Sequence, residues 1–112
     1  MNIIKIKPLS VNTAFQGRKF KTKEYKQYEK DLLLMLPKLK ICDAPYKITI
    51  KFAFSSTLAD IDNPLKPFLD VLQKKYNIND RDFYQLEVIK IVVKKGGEFI
   101  KFNIETYGKE KR

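Results

Sequence analysis

"PYKITIKFAFSSTLADIDNPLKPFLDVL", Pro45 to Leu72, changes its period halfway along, and that change sets the fold class. Tyr46, Ile48, Ile50, Phe52 and Phe54 alternate with Lys47, Thr49 and Lys51, the period of a strand with one covered face. From Leu65 the apolar residues fall at Leu65, Phe68, Leu69 and Leu72, the spacing of one helix face. Asp62 or Asn63 is placed to cap this helix, and Pro64 suits its first position. Pro67 must stay within the first turn, because further in it would break the helix.

Working outward, Thr22 is a candidate N-cap for an earlier helix. Its apolar face is Tyr25, Tyr28, Leu32, Met35 and Leu36, and Pro37 ends it. Ile3 to Lys7 reads as a short strand and Pro8 to Lys23 as a long polar loop. Phe83 to Val93 reads as a strand with Glu98 to Tyr107 as its partner. "KKGG", Lys94 to Gly97, supplies the hairpin turn, since glycine tolerates positive φ. The predicted order is β-α-β-α-β-β, an α/β (α+β) fold with two helices packed on a mixed sheet. With 112 residues and no repeat, residues 1–112 are expected to form a single domain. A chain of this length buries roughly 65 % of its unfolded surface, enough for one modest core.

The chain carries 23 Lys and Arg against 13 Asp and Glu, a net charge of +10, which favours a polyanionic partner. There is no histidine, so every mechanism built on a histidine base or ligand is excluded. Cys42 is the single cysteine, so a disulfide or a cysteine zinc site within one chain is excluded too. No apolar run is long enough to span a membrane, and the start lacks the apolar core of a signal peptide. A cytoplasmic protein is the expectation.

Against this basic background, "DIDNPLKPFLD", Asp60 to Asp70, is acidic, and Asp80 and Asp82 follow in the loop "YNINDRD". In an extended segment Asp60 and Asp62 project to one side. Asp80 joins them if its strand neighbours the Tyr46 strand. Three carboxylates at one point suit a hard cation, Mg2+ or Mn2+. Lys66, four residues beyond Asp62, lies on the same helix face and is placed to offset charge on a reacting phosphate. Basic surface plus acidic pocket is what metal-dependent phosphodiester cleavage requires. The same residues also admit a plain reading, with Asp62 or Asn63 as a cap, Lys66 in surface ion pairs and Asp80 in a turn. A calcium loop of the EF-hand type fails, because Leu65 and Val71 stand where glycine and glutamate are needed.

"DIDNPLKPFLDVL" and "NINDRDFYQLEVIKI", with "PLSVNTAF" upstream, resemble the RusA family of Holliday junction resolvases. The resemblance covers most of the chain and keeps the order and spacing of its parts. It implies a homodimeric, Mg2+-dependent endonuclease acting on branched DNA, the four-way junction. It implies Asp60, Asp62 and Asp80 as metal ligands and Lys66 as the catalytic lysine. Asn79-Asp80 replaces the family's frequent Asp-Asp, which leaves Asp82 as a substitute for Asp80; Asp70 is read as structural. Ser10, Asn12, Arg18, Lys19, Lys21 and Lys23 are the expected nucleic-acid contacts. A two-fold dimer matches the symmetry of a junction that needs two opposed nicks. The rival reading is a non-catalytic, basic nucleic-acid-binding protein.

Overall fold

The alternation at Tyr46–Phe54 is realised as the longest-paired strand, β4, with Ile48, Ile50 and Phe52 fully buried beneath two helices. The structure, a computed structural model, describes residues 1–9, 15–16 and 20–108. In chain order its elements are β1 (Asn2–Ile4), β2 (Phe15–Gln16), β3 (Phe20–Lys21), α1 (Lys23–Met35), β4, α2 (Leu65–Tyr76), β5 (Phe83–Val92) and β6 (Phe99–Thr106). The predicted β-α-β-α-β-β order holds, with the small β2–β3 hairpin added inside the segment read as a loop. β1 is shorter than the predicted Ile3–Lys7. The Ile6 amide donates to the Ile4 carbonyl, turning the chain away from the sheet.

The four main strands form a mixed sheet in the order β1-β6-β4-β5. β6 runs antiparallel to both β1 and β4, whereas β5 runs parallel to β4. The predicted hairpin between β5 and β6 is therefore not formed. The turn itself exists, with Gly96 at φ +94° and the Gly97 amide bonded to the Lys94 carbonyl. It carries the chain across the end of β4 instead of folding it back on β5. The parallel β4–β5 pair is possible because α2 serves as the crossover between them.

Local chemistry accounts for the helix ends. The Thr22 hydroxyl accepts from the Tyr25 amide and starts α1 as predicted. α2 begins differently, with Pro64 as N-cap and no side chain capping it. Neither Asp62 nor Asn63 acts as the cap, although the Asp62 carbonyl accepts from the Leu65 amide. Pro67 falls in the first turn, where its missing amide hydrogen has no helical partner to lose. Asn77, in the left-handed region at φ 54°, ends α2 by donating its amide to the Gln73 carbonyl.

One core joins both helices to the sheet. Phe68 on α2 sits edge-on between Phe52 of β4 and Phe102 of β6, at centroid distances of 5.9 and 5.6 Å. Tyr25 and Tyr28 are buried in this core, as their helical spacing on the apolar face of α1 predicts. No described helix is long and apolar enough to cross a membrane.

Candidate active site

Parallel pairing fixes where the carboxylates go. Asp60 and Asp62 follow the end of β4 and lie just before α2. Asp80 lies beyond the other end of α2, just before β5 begins beside Tyr46. A helix of 12 residues rises about 18 Å. Strand neighbourhood alone therefore does not bring Asp80 to the Asp60–Asp62 pair, because the neighbours point the same way.

The face of α2 nevertheless links the two ends. A cavity of about 210 Å³ runs along it, lined by Asp62, Leu65, Lys66, Leu69, Asp70, Gln73 and Asp80. Asp62, Lys66 and Asp80, three of the four residues expected to carry chemistry, thus share one concavity. Asp60 does not share it. The chain turns over residues 61–64 instead of running extended, so the two-residue spacing no longer sets both carboxylates on one side. Asp60 lines a separate hollow with Phe54, Leu58, Asn63 and Pro64, and its carboxylate accepts from the Asn63 side-chain amide at 3.3 Å.

Asp80 is held by two neighbours. Its amide donates to the Gln73 Oε1 at 3.0 Å, which ties it to the last turn of α2. Asn79 caps the short 3-10 turn Asp80–Asp82, its side-chain oxygen accepting from the Arg81 amide. Asp would cap equally well, which gives a physical reason why Asn can stand at this position. Asp82 is not among the residues lining the cavity. Its charge is felt instead at Tyr46, whose phenol is raised above its ordinary range first by burial, then by Cys42, Asp82 and Asp43.

Asp70 holds a more connected place than the structural role read from its sequence position. It lies 3.6 Å from the exposed Lys66 ammonium, in an i,i+4 ion pair, and accepts from the Tyr25 hydroxyl at 3.5 Å. Such an exposed pair contributes little to stability, but it directs the lysine along the cavity wall. Burial, followed by the charges of Asp70 and Glu29 and the hydrogen bond to Asp70, holds the Tyr25 phenol well above its ordinary range, so it is a constant donor. Asp70 and Gln73 could have been found from sequence, since both continue the helix face of Asp62 and Lys66 at three- and four-residue steps.

Next to this cavity, Glu29 binds the Lys74 ammonium at 2.5 Å and that of Lys21 at 3.4 Å. Burial pushes the Glu29 carboxyl up, but the Lys74 hydrogen bond and the two lysine charges together outweigh it and hold it below its ordinary value. Lys21, expected to grip DNA, also lies over the Tyr25 ring at 4.8 Å, so its charge is engaged within the fold. Lys23 is exposed at the start of α1. Ser10, Asn12, Arg18 and Lys19 lie outside the described residues.

All-oxygen donors of this kind suit Mg2+ or Mn2+ in chemical type. Their placement is looser. No three described His, Cys, Asp or Glu side chains stand close enough to hold one ion together. The carboxylates are spread between the two ends of the α2 face. No family model and no curated protein matches the chain.

Proposed function

We propose that this chain is a RusA-type, Mg2+-dependent endodeoxyribonuclease that acts as a homodimer on four-way DNA junctions in the cytoplasm. The observation that carries this reading is the cavity along α2. It aligns Asp62, Lys66 and Asp80, far apart in sequence, along one helix face of a chain of net charge +10. The positive surface attracts the phosphate backbone, and the acidic cavity is where that attraction is locally reversed.

In this reading Asp60, Asp62 and Asp80 would supply the carboxylate donors for Mg2+, with Mn2+ as a substitute, although one protomer spreads them between the two ends of the α2 face. A two-fold dimer presents two copies of each end of the cavity. Such an ion, when bound, supplies an activated water and a contact that polarises the phosphate. Lys66, steadied by Asp70, offsets the charge that grows on the phosphate oxygens. Lys23 and the basic segment before it, including Arg18 and Lys19, contact the flanking backbone without reading bases.

The test is nicking of a synthetic four-way junction, with a linear duplex of the same sequence as control. Mg2+ and Mn2+ are expected to support cleavage. Ca2+ is expected to permit binding with little cleavage, because its larger, looser coordination leaves the reacting groups poorly aligned. Full cleavage in EDTA would remove the metal mechanism. Tight binding with no cleavage in any of these ions would return the protein to the class of non-catalytic DNA binders.

Lys66→Ala is expected to slow single-turnover cleavage by about 10²-fold, the scale for losing one charge-stabilising donor. Junction affinity should change far less, because one lysine makes one phosphate contact among many. An unchanged rate would leave Lys66 as the surface partner of Asp70 and nothing more.

A further inference from the structure

Lys90 stands on β5 beside Phe52 of β4, on the helix-covered side of the sheet. Leu86, Val88 and Val92 occupy the same side of the strand, so the pattern at position 90 asks for an apolar residue. A half-buried ammonium there costs desolvation unless its donors are used. They are used on the acidic loop. The ammonium donates to the Thr57 carbonyl at 2.8 Å and to the Ala59 carbonyl at 2.5 Å, and lies 6.0 Å from the centre of the Phe54 ring. Ala59 immediately precedes Asp60. The loop's own two ties are longer: the Leu58 amide bonds the Ser56 hydroxyl at 3.1 Å, and the Ala59 amide reaches the Ser56 carbonyl at 3.5 Å.

We propose that Lys90 is a positioning residue that clamps residues 57–59 to the sheet edge and thereby fixes where Asp60 and Asp62 present their carboxylates. The clamp enters the loop one residue before the first aspartate, and α2 takes hold of the chain at Leu65, shortly after the second. The acidic arm is thus fixed at both ends, and Lys90 supplies the fixation that the helix cannot. This rests on the reading of Asp60 and Asp62 as ligands of a divalent ion.

Lys90→Met keeps the apolar stem and removes the donors, while Lys90→Arg restores charge and donors. Backbone amide hydrogen exchange over residues 57–62, in metal-free protein, reads the clamp. Mn2+ binding, followed by the paramagnetic resonance of the free ion, reads its consequence without any cleavage. Lys90→Met is expected to exchange faster across 57–62 with α2 and β4 unaffected. Its Mn2+ affinity is expected to fall by about 10–100-fold, the scale for losing a residue that orients ligands. Lys90→Arg should recover most of both. Unchanged exchange in Lys90→Met overturns the clamp. Faster exchange with parental Mn2+ affinity overturns the positioning role and leaves a loop anchor. A parent protein that binds no Mn2+ overturns the ligand reading itself, whatever the exchange shows.

Discussion

Asp62→Asn is expected to cut four-way junctions at a rate near zero while keeping the fold and the affinity for DNA. Asn preserves the shape of the side chain and removes its charge. The alternative role, a helix cap, would be served by Asn as well as by Asp, so a mere cap would leave activity intact. The geometry sharpens this contrast, because Pro64 is the N-cap of α2 and Asp62 contributes only its backbone carbonyl to the Leu65 amide. That bond survives the substitution. Asp62 is exposed, so stability should stay within about 0.5 kcal/mol of the parent. A divalent ion, by contrast, needs the lost charge. Without metal, the Asp62 carboxylate repels any phosphate seated in the cavity. In EDTA, therefore, the variant should bind a junction as tightly as the parent or more tightly, by an amount that shrinks with salt. The paired measurement is single-turnover cleavage in Mg2+ and junction affinity in EDTA. Near-parental cleavage would defeat the ligand assignment. Loss of cleavage together with binding and the circular dichroism signal would make Asp62 structural.

Phe68→Ala is expected to cost about 3–5 kcal/mol, the range for truncating a fully buried aromatic. Its ring is wholly enclosed and makes edge contacts to both central strands of the sheet. A domain of this size has a total stability of about 5–15 kcal/mol, so the variant should be near the limit of folding. Urea denaturation would show the midpoint falling with little change in slope. The effect reaches the cavity as well, because Lys66 and Asp70 sit on the opposite side of the helix that Phe68 docks. Phe68→Leu, which fills part of the space, should fall between the two. A loss below about 1 kcal/mol would mean that α2 is held by other contacts.

Both helices and the long strands β4, β5 and β6 were legible because each is written in local periodicity, whereas β2 and β3, two residues each, are too short to carry a period. Ile48, Ile50 and Phe52 alternate without exception, and Tyr25, Tyr28 and Leu32 keep helical spacing, so any fold would use them alike. Pairing was not legible in the same way. "KKGG" makes a turn whether the chain folds back on β5 or crosses to the far side of β4. What decides between these is that β4 offers two edges and α2 permits a parallel neighbour on one of them. A clue lies in β5, which has no fully buried residue and places Lys90 among apolar positions, as an edge strand can. Ile100 and Phe102 of β6 are fully buried, as an interior strand requires. In the site, the residue types and the Asp62–Lys66 spacing were readable. The separation of Asp60 from Asp62 was not, because it depends on a turn over 61–64 that sets Pro64 in the core.

The position of β6 between β1 and β4 also sets a timetable for the nascent chain. A ribosome releases β1 and β4 well before residues 99–106, so both strands emerge without the neighbour that joins them. The β4-α2-β5 unit lies within residues 46–92 and is complete in sequence first, but Phe68 and Tyr76 still lack Phe102 of β6 until the last strand arrives. β1 has no partner in the main sheet until β6 threads in between. Because that step closes the most distant contacts, it is expected to be the slow one. Until it happens, the free edge of β4 is open to pairing with the wrong strand, including the same strand of another nascent chain.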